Sequence, residues 1–282
     1  MKKKVIAFCL LLISIVINGQ TAYTRGDAKY IKEIKGQTIL VVLSGEEEFR
    51  KALKKTFELN WTFSKYDFIT EEQLKKQFKD KDKVFLFGYY KVEIDWDKHD
   101  LYGVPIIGIS DKYKADGVYP IRRDINIFYP YPTAGFEPEA LEAYLALNIR
   151  IIDRYLTIFD TKSSLNHSWN FRDYGHYIGS KNVECKSRKI LICKNDIYIE
   201  KEDITKRYNF DCEIVKTNRI IEAINNREDV LIFYMVPSLF YCYYCLVSAK
   251  DGEIFYFLDM FDGDFYYKST QKMIFKKLSK AK

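Results

Sequence analysis

Cys242-Tyr243-Tyr244-Cys245 is the spacing in this chain that most suggests chemistry. A C-x-x-C pair exchanges disulfides when it opens a helix, because the helix start stabilises the attacking thiolate. Here Phe240 to Val247 reads as a strand, and no helix signal follows Cys245. Along a strand the two Cα atoms lie about 10 Å apart, beyond the roughly 7 Å span of a disulfide. Cys242 and Cys245 are thus redox candidates by spacing, in a setting that argues against the reaction.

A second group lies in the polar, aromatic stretch Ser163 to Asn182, where His167, Trp169, Arg172, Asp173, Tyr174 and His176 follow one another. Imidazole, carboxylate and guanidinium in one loop are the side chains of a binding, acid/base or metal site. Asp173 and His176 would share a face on a helix, but Gly175 and Gly179 oppose one, and nothing here converges ligands as His-Glu-x-x-His does. The remaining histidine, His99, stands alone. His167, Trp169, Arg172, Asp173 and His176 are kept as binding candidates, and the sequence assigns no metal, cofactor or catalytic residue.

Other patterns fall short. Ser44-Gly45 follows a strand and precedes a helix, as in a nucleophile elbow, yet the G-x-S-x-G frame is absent. The three carboxylates Glu46, Glu47 and Glu48 after Gly45 would repel a phosphate, which argues against a nucleotide cradle. Asp95 with Asp97, and Asp259 with Asp262 and Asp264, are acid-rich loops of a kind that hydrolases use and that surfaces commonly carry.

The elements that would position these groups repeat. Strand-like Thr38 to Leu43, helix-like Glu46 to Glu58, strand-like Thr62 to Phe68, helix Glu71 to Phe78 and strand-like Lys83 to Tyr90 alternate in the first half. The second half offers Lys189 to Cys193, a helical stretch near Asp203 to Arg207, Cys212 to Lys216, Asn218 to Asn225 and Val230 to Met235 in the same order. Ile39 and Trp61 are separated by the same distance in sequence as Ile190 and Cys212, a length suited to one βαβ unit. Phe49, Ala52, Leu53, Thr56 and Phe57 form one stripe that should lie flat on a sheet. Glu137 to about Phe159 is a broadly apolar helix, expected as a packing spine between the halves. Lys250-Asp251-Gly252 between two apolar runs predicts a hairpin, and Thr270 to Leu278 a closing helix.

The expected fold is therefore α/β, with α+β character in the C-terminal half. The domain plan is signal 1–19, N-terminal half 20–135, connecting helix and loop 136–182, and C-terminal half 183–282. The 282 residues are 48% hydrophobic and 16% aromatic, enough to bury a full core. Five cysteines follow the signal, so at least one stays unpaired, and they read as small buried hydrophobes with at most a disulfide or so.

Lys2, Lys3 and Lys4, the apolar run Val5 to Ile17 and the polar Asn18-Gly19-Gln20 have the order of a cleaved secretory signal. At about 1.5 Å per residue the run spans about 20 Å, short of the roughly 30 Å hydrocarbon layer, so no permanent membrane anchor is expected. Those three lysines supply half of the formal net charge of +6, and the near-balanced remainder argues against nucleic acid as a partner. The protein is expected to be secreted or periplasmic.

Lys189-Ile190-Leu191-Ile192, Cys212-Glu213-Ile214-Val215, Val236-Pro237-Ser238 and Ala249-Lys250-Asp251-Gly252-Glu253-Ile254, with the signal end Asn18-Gly19-Gln20, resemble small uncharacterised secreted proteins of Bacteroidota. The resemblance covers roughly the last hundred residues and implies compartment and fold, with no assigned activity. Its 23 tyrosines suit aromatic recognition faces as well as sheet surfaces. The functional expectation is an exported, soluble, non-catalytic binding protein for a protein, peptide or glycan. The alternative is a cell-envelope enzyme, thiol-disulfide or hydrolytic.

Overall fold

A computed structural model describes residues 32, 34–77, 84–88, 91–94, 99–102, 106–110, 123–125, 138–161, 182–237, 241–261 and 268–280. The fold is α/β. Strands β1 (Thr38–Leu43), β2 (Lys65–Thr70), β3 (Val84–Gly88), β6 (Ile106–Ser110) and β7 (Arg123–Ile125) form one sheet in the order β2-β1-β3-β6-β7. β8 (Ile190–Cys193), β9 (Cys212–Val215), β10 (Leu231–Pro237), β11 (Tyr241–Ser248) and β12 (Ile254–Phe261) form another in the order β9-β8-β10-β11-β12. In both, the first-named strand and the third run parallel to the second, and the last two pairings are antiparallel. β4 (Lys91–Ile94) and β5 (His99–Tyr102) pair separately. Strands β4 to β7 have no counterpart in the sequence reading: they are three to five residues long, too short for alternation to register.

The helices are α1 (Glu47–Asn60), α2 (Glu71–Gln77), α3 (Pro138–Thr161), α4 (Lys201–Thr205), α5 (Thr217–Asn225) and α6 (Lys268–Lys280). The stripe of α1 is buried throughout, on the sheet face formed by Ile39 and Val41. β2 starts three residues later than its apolar pattern suggests. The N–H groups of Thr62 and Phe63 donate to the Asp153 carboxylate on α3, at 2.6 and 2.8 Å, instead of joining a ladder.

Strand registers align the two sheets. Val42 pairs with Ile69 and Cys193 with Val215; five residues on, Leu74 and Ile220 are each buried. Val42 thus corresponds to Cys193, and Gly45 to Asp196. The second sheet is covered on both faces. Leu191, Cys193, Val215, Ile232, Tyr234, Cys245 and Val247 share a core with α3 and α5, while Ile190, Ile192, Leu231, Phe233, Tyr244 and Leu246 share one with α4 and α6. The first core also contains α1, so α3 packs on both sheets at once. That is why it is apolar all round: every residue from Ala143 to Ile152 is buried. By contrast α6 turns Ile274, Phe275 and Leu278 inward and Lys276, Lys277 and Lys280 to solvent. Among the described residues no helix is long and apolar enough to cross a membrane.

A polar seam crosses α3. Arg150, only 7% exposed, donates from Nε to Asn60 Oδ1 (2.7 Å) and from Nη1 to the carbonyls of Ile224 (2.9 Å) and Ala249 (2.8 Å). One guanidinium thereby meets a carbonyl at the end of α5, a carbonyl of the β11–β12 turn and the side chain of the last residue of α1; burial holds its pKa down at about 10, with Arg227 adding repulsion. Arg227 itself ends α5 in a left-handed conformation (φ 51°), with its N–H on Ile224 O and that of Glu228 on Ala223 O. Its side chain reaches Leu59 O and Asn60 Oδ1. Next to the seam, Gly252 (φ +74°) brings the β11–β12 turn onto α3, where an added Cβ would lie 2.4 Å from Ile151 N.

Candidate functional site at the carboxyl end of the second sheet

In open sheets with this strand order, ligands bind beyond the carboxyl ends of strands whose connections leave in opposite directions. β8 and β10 are such a pair: β8 leads through α4 to β9 on one side, and β10 leads to β11 on the other. The polypeptide leaving β8 makes a single 3-10 turn, Lys194–Asp196. The residues collected here are Cys193 at the end of β8, Asp196 in the turn, Thr217 in the first turn of α5, Tyr234 on β10 and Tyr144 on α3.

Their geometry is fixed by local contacts. Cys193 Sγ lies 3.6 Å from Thr217 Oγ1. The rings of Tyr144 and Tyr234 stack at 5.7 Å with planes 9° apart, and both residues are buried. The turn is clamped by Gln271 of α6, which is wholly buried: its Nε2 donates to Asp196 O (3.0 Å), and its Oε1 accepts from the Tyr198 N–H (2.8 Å). A buried amide is tolerated only when satisfied, and this one is spent on holding the turn.

Electrostatically the cluster is acidic, with Cys193, Tyr144 and Tyr234 buried and Asp196 and Thr217 half-buried. Burial pushes the Asp196 carboxyl up to about 6. Burial raises the Cys193 thiol too, and the Asp196 charge raises it further. Burial likewise raises the Tyr144 phenol, with Asp196 and Cys193 adding to the effect. Asp196 forms no ion pair among the described residues, and Lys194 on its own turn and Lys216 before α5 are exposed. The arrangement can exchange a proton near pH 6 and present a carboxylate to a positively charged or hydrogen-bonding group. It does not favour a thiolate.

His167, Trp169, Arg172, Asp173 and His176 lie outside the described residues, as do Asp95, Asp97, Asp262 and Asp264. Cys242 and Cys245 occupy one strand, opposite Pro237 and Tyr234 respectively, which places their Cα atoms about 10 Å apart. Burial pushes the Cys245 thiol far up, the Cys185 thiol up to about 12, and the Cys212 thiol up as well. Among the described residues no group of three or more histidine, cysteine or acidic side chains is placed to hold a metal. The sequence reading passed over Asp196 and treated Cys193 as filler. The available signal was a polar turn directly after the first strand of a repeated βαβ unit. Searches of family models, of curated proteins and of solved structures each return no match to this chain.

Proposed function

We propose that this chain is an exported, non-catalytic binding protein whose ligand sits beyond the carboxyl ends of β8 and β10. The observation that carries the reading is the Gln271 clamp, which holds an acid on a fixed turn at the position where sheets of this order receive ligands. Export rests on the order of residues 1–20 and on the resemblance to small secreted proteins of Bacteroidota. Binding is favoured over thiol-disulfide exchange because burial raises the Cys193 and Cys245 thiols, whereas an attacking cysteine needs a lowered pKa.

The test is a panel of short peptides, oligosaccharides and small metabolites added to the isotopically labelled protein. Binders should perturb amides of residues 193–196 and 217 and be recovered unchanged. Chemical conversion of a binder, or perturbations confined to other parts of the molecule, would reject the proposal.

A further inference from the structure

We propose that the outer face of α6 docks the protein, peripherally and reversibly, on an anionic lipid surface. The segment Lys268 to Lys282 holds six lysines and no acid, as much positive charge as the net +6 of the whole chain. Once the three lysines of the signal are set aside, the rest of the exported chain is mildly acidic. The molecule is therefore electrically lopsided, and such an asymmetry turns one side of a protein towards a negative partner.

The fold gathers this charge on one side. Gln271, Ile274, Phe275 and Leu278 are buried, and the last three share the core beneath the second sheet with Ile204 of α4. With about 3.6 residues per turn, Lys276, Lys277 and Lys280 fall within an arc of about 100° on the opposite side, and all three are exposed. Lys272, on the flank, is already paired with Asp203 (2.7 Å), whereas the other three form no ion pair among the described residues. The outer face of α1 is the contrast. It carries Arg50, Lys51, Lys54 and Lys55, but Glu47 pairs with Lys51 (2.6 Å), Glu142 pairs with Lys55 (2.5 Å), and Glu48 and Glu58 offset the rest.

The chemistry of the α6 face favours lipid headgroups. Lysine is a compact point charge that answers to the mean potential of a negative surface. The arc has no arginine to grip a phosphodiester with two hydrogen bonds and no ring on which a base could stack, which argues against a nucleic acid. Because the apolar side of α6 is spent on the core, the contact is electrostatic and involves no insertion. This surface is separate from the ligand seat beyond β8 and β10, so neither reading stands or falls with the other.

The test mixes the exported protein with vesicles of phosphatidylcholine, either alone or with about one third phosphatidylglycerol, and measures the bound fraction by flotation. Binding is expected only with phosphatidylglycerol, at an ionic strength of about 0.1 M, and should vanish near about 1 M, as the screening length falls from about 10 to about 3 Å. A lysine at an anionic surface strengthens binding about fivefold, so joint replacement by Lys276→Gln, Lys277→Gln and Lys280→Gln should weaken it about a hundredfold. Lys51→Gln, Lys54→Gln and Lys55→Gln together remove the same charge from α1 and should change it by less than about fivefold. All six side chains are exposed, so both variants should keep the parent's thermal midpoint, and the lipid and salt comparisons need no variant. Equal binding to pure phosphatidylcholine, or equal losses from the two triple variants, overturns the proposal. Capture of heparin or duplex DNA without binding to vesicles overturns it too, in favour of a soluble polyanion.

Discussion

The carboxyl ends of β1 and β8 occupy the same place in two sheets of the same order, and they end differently. After β1 the backbone turns at Gly45 (φ +80°) straight into the fourteen-residue α1, which returns along the sheet. After β8 it makes a 3-10 turn and reaches only the five-residue α4. In the first half the return is occupied by packing, since Phe49, Leu53 and Phe57 seal α1 onto Ile39 and Val41. In the second half the corresponding stretch carries a polar clamp and an ionisable group. One scaffold thus tolerates either a helix that stabilises or a turn that presents chemistry. The difference lies in a few residues past the strand, not in the strand itself.

Three substitutions probe this contrast. The largest effect is expected for Gly252→Ala, because the new Cβ would meet the α3 backbone at 2.4 Å in a left-handed conformation. Overpacking and the φ penalty together predict a loss of about 4 kcal/mol in chemical denaturation. A loss below about 1 kcal/mol would mean the second half does not rest on α3 as described.

Asp196→Asn is expected to move stability the other way. A carboxyl whose folded pKa is raised from the ordinary 3.8 to about 6 gives its full stabilising contribution below pH 4 and loses it as pH rises through 6. At pH 7 the ionised form therefore destabilises the protein, by up to about 3 kcal/mol for the whole displacement. The asparagine variant should be the more stable one at pH 7, by a margin that shrinks on acidification towards pH 4. Denaturation curves at pH 4, 5.5 and 7 check this, and a variant less stable than the parent at pH 7 would contradict the burial argument.

The smallest effect belongs to Gly45→Ala, where the only neighbour of the new Cβ is Phe49 Cδ1 at 3.7 Å. The left-handed backbone alone should cost about 1 kcal/mol. A loss as large as that of Gly252→Ala would show that the turn after β1 is as constrained as the one against α3.

The alternation of elements was legible because each carries its own period. The α1 stripe is buried as spaced, α5 begins one residue before its expected start, and Lys250-Asp251-Gly252 turns between β11 and β12. The site was not legible, because it depends on contacts remote in sequence. Asp196 resembles any polar residue after a strand until Gln271 arrives from α6 and Tyr144 from α3. Tyrosine abundance was silent in a related way: among the described residues Tyr155, Tyr208, Tyr244 and Tyr256 lie in the core, while Tyr144 and Tyr234 stack beside the candidate site. Composition reports how many rings there are, and only packing decides which way they face.

The long helix α3 is inner wall to one sheet and outer wall to the other, so neither half owns it. Damage done to the turn around Gly252 is transmitted to α1 through the same Arg150 and Asn60 that join them. The molecule cannot shed one half and keep the other intact, because whichever half departed would leave the remaining one with an oily flank turned towards water.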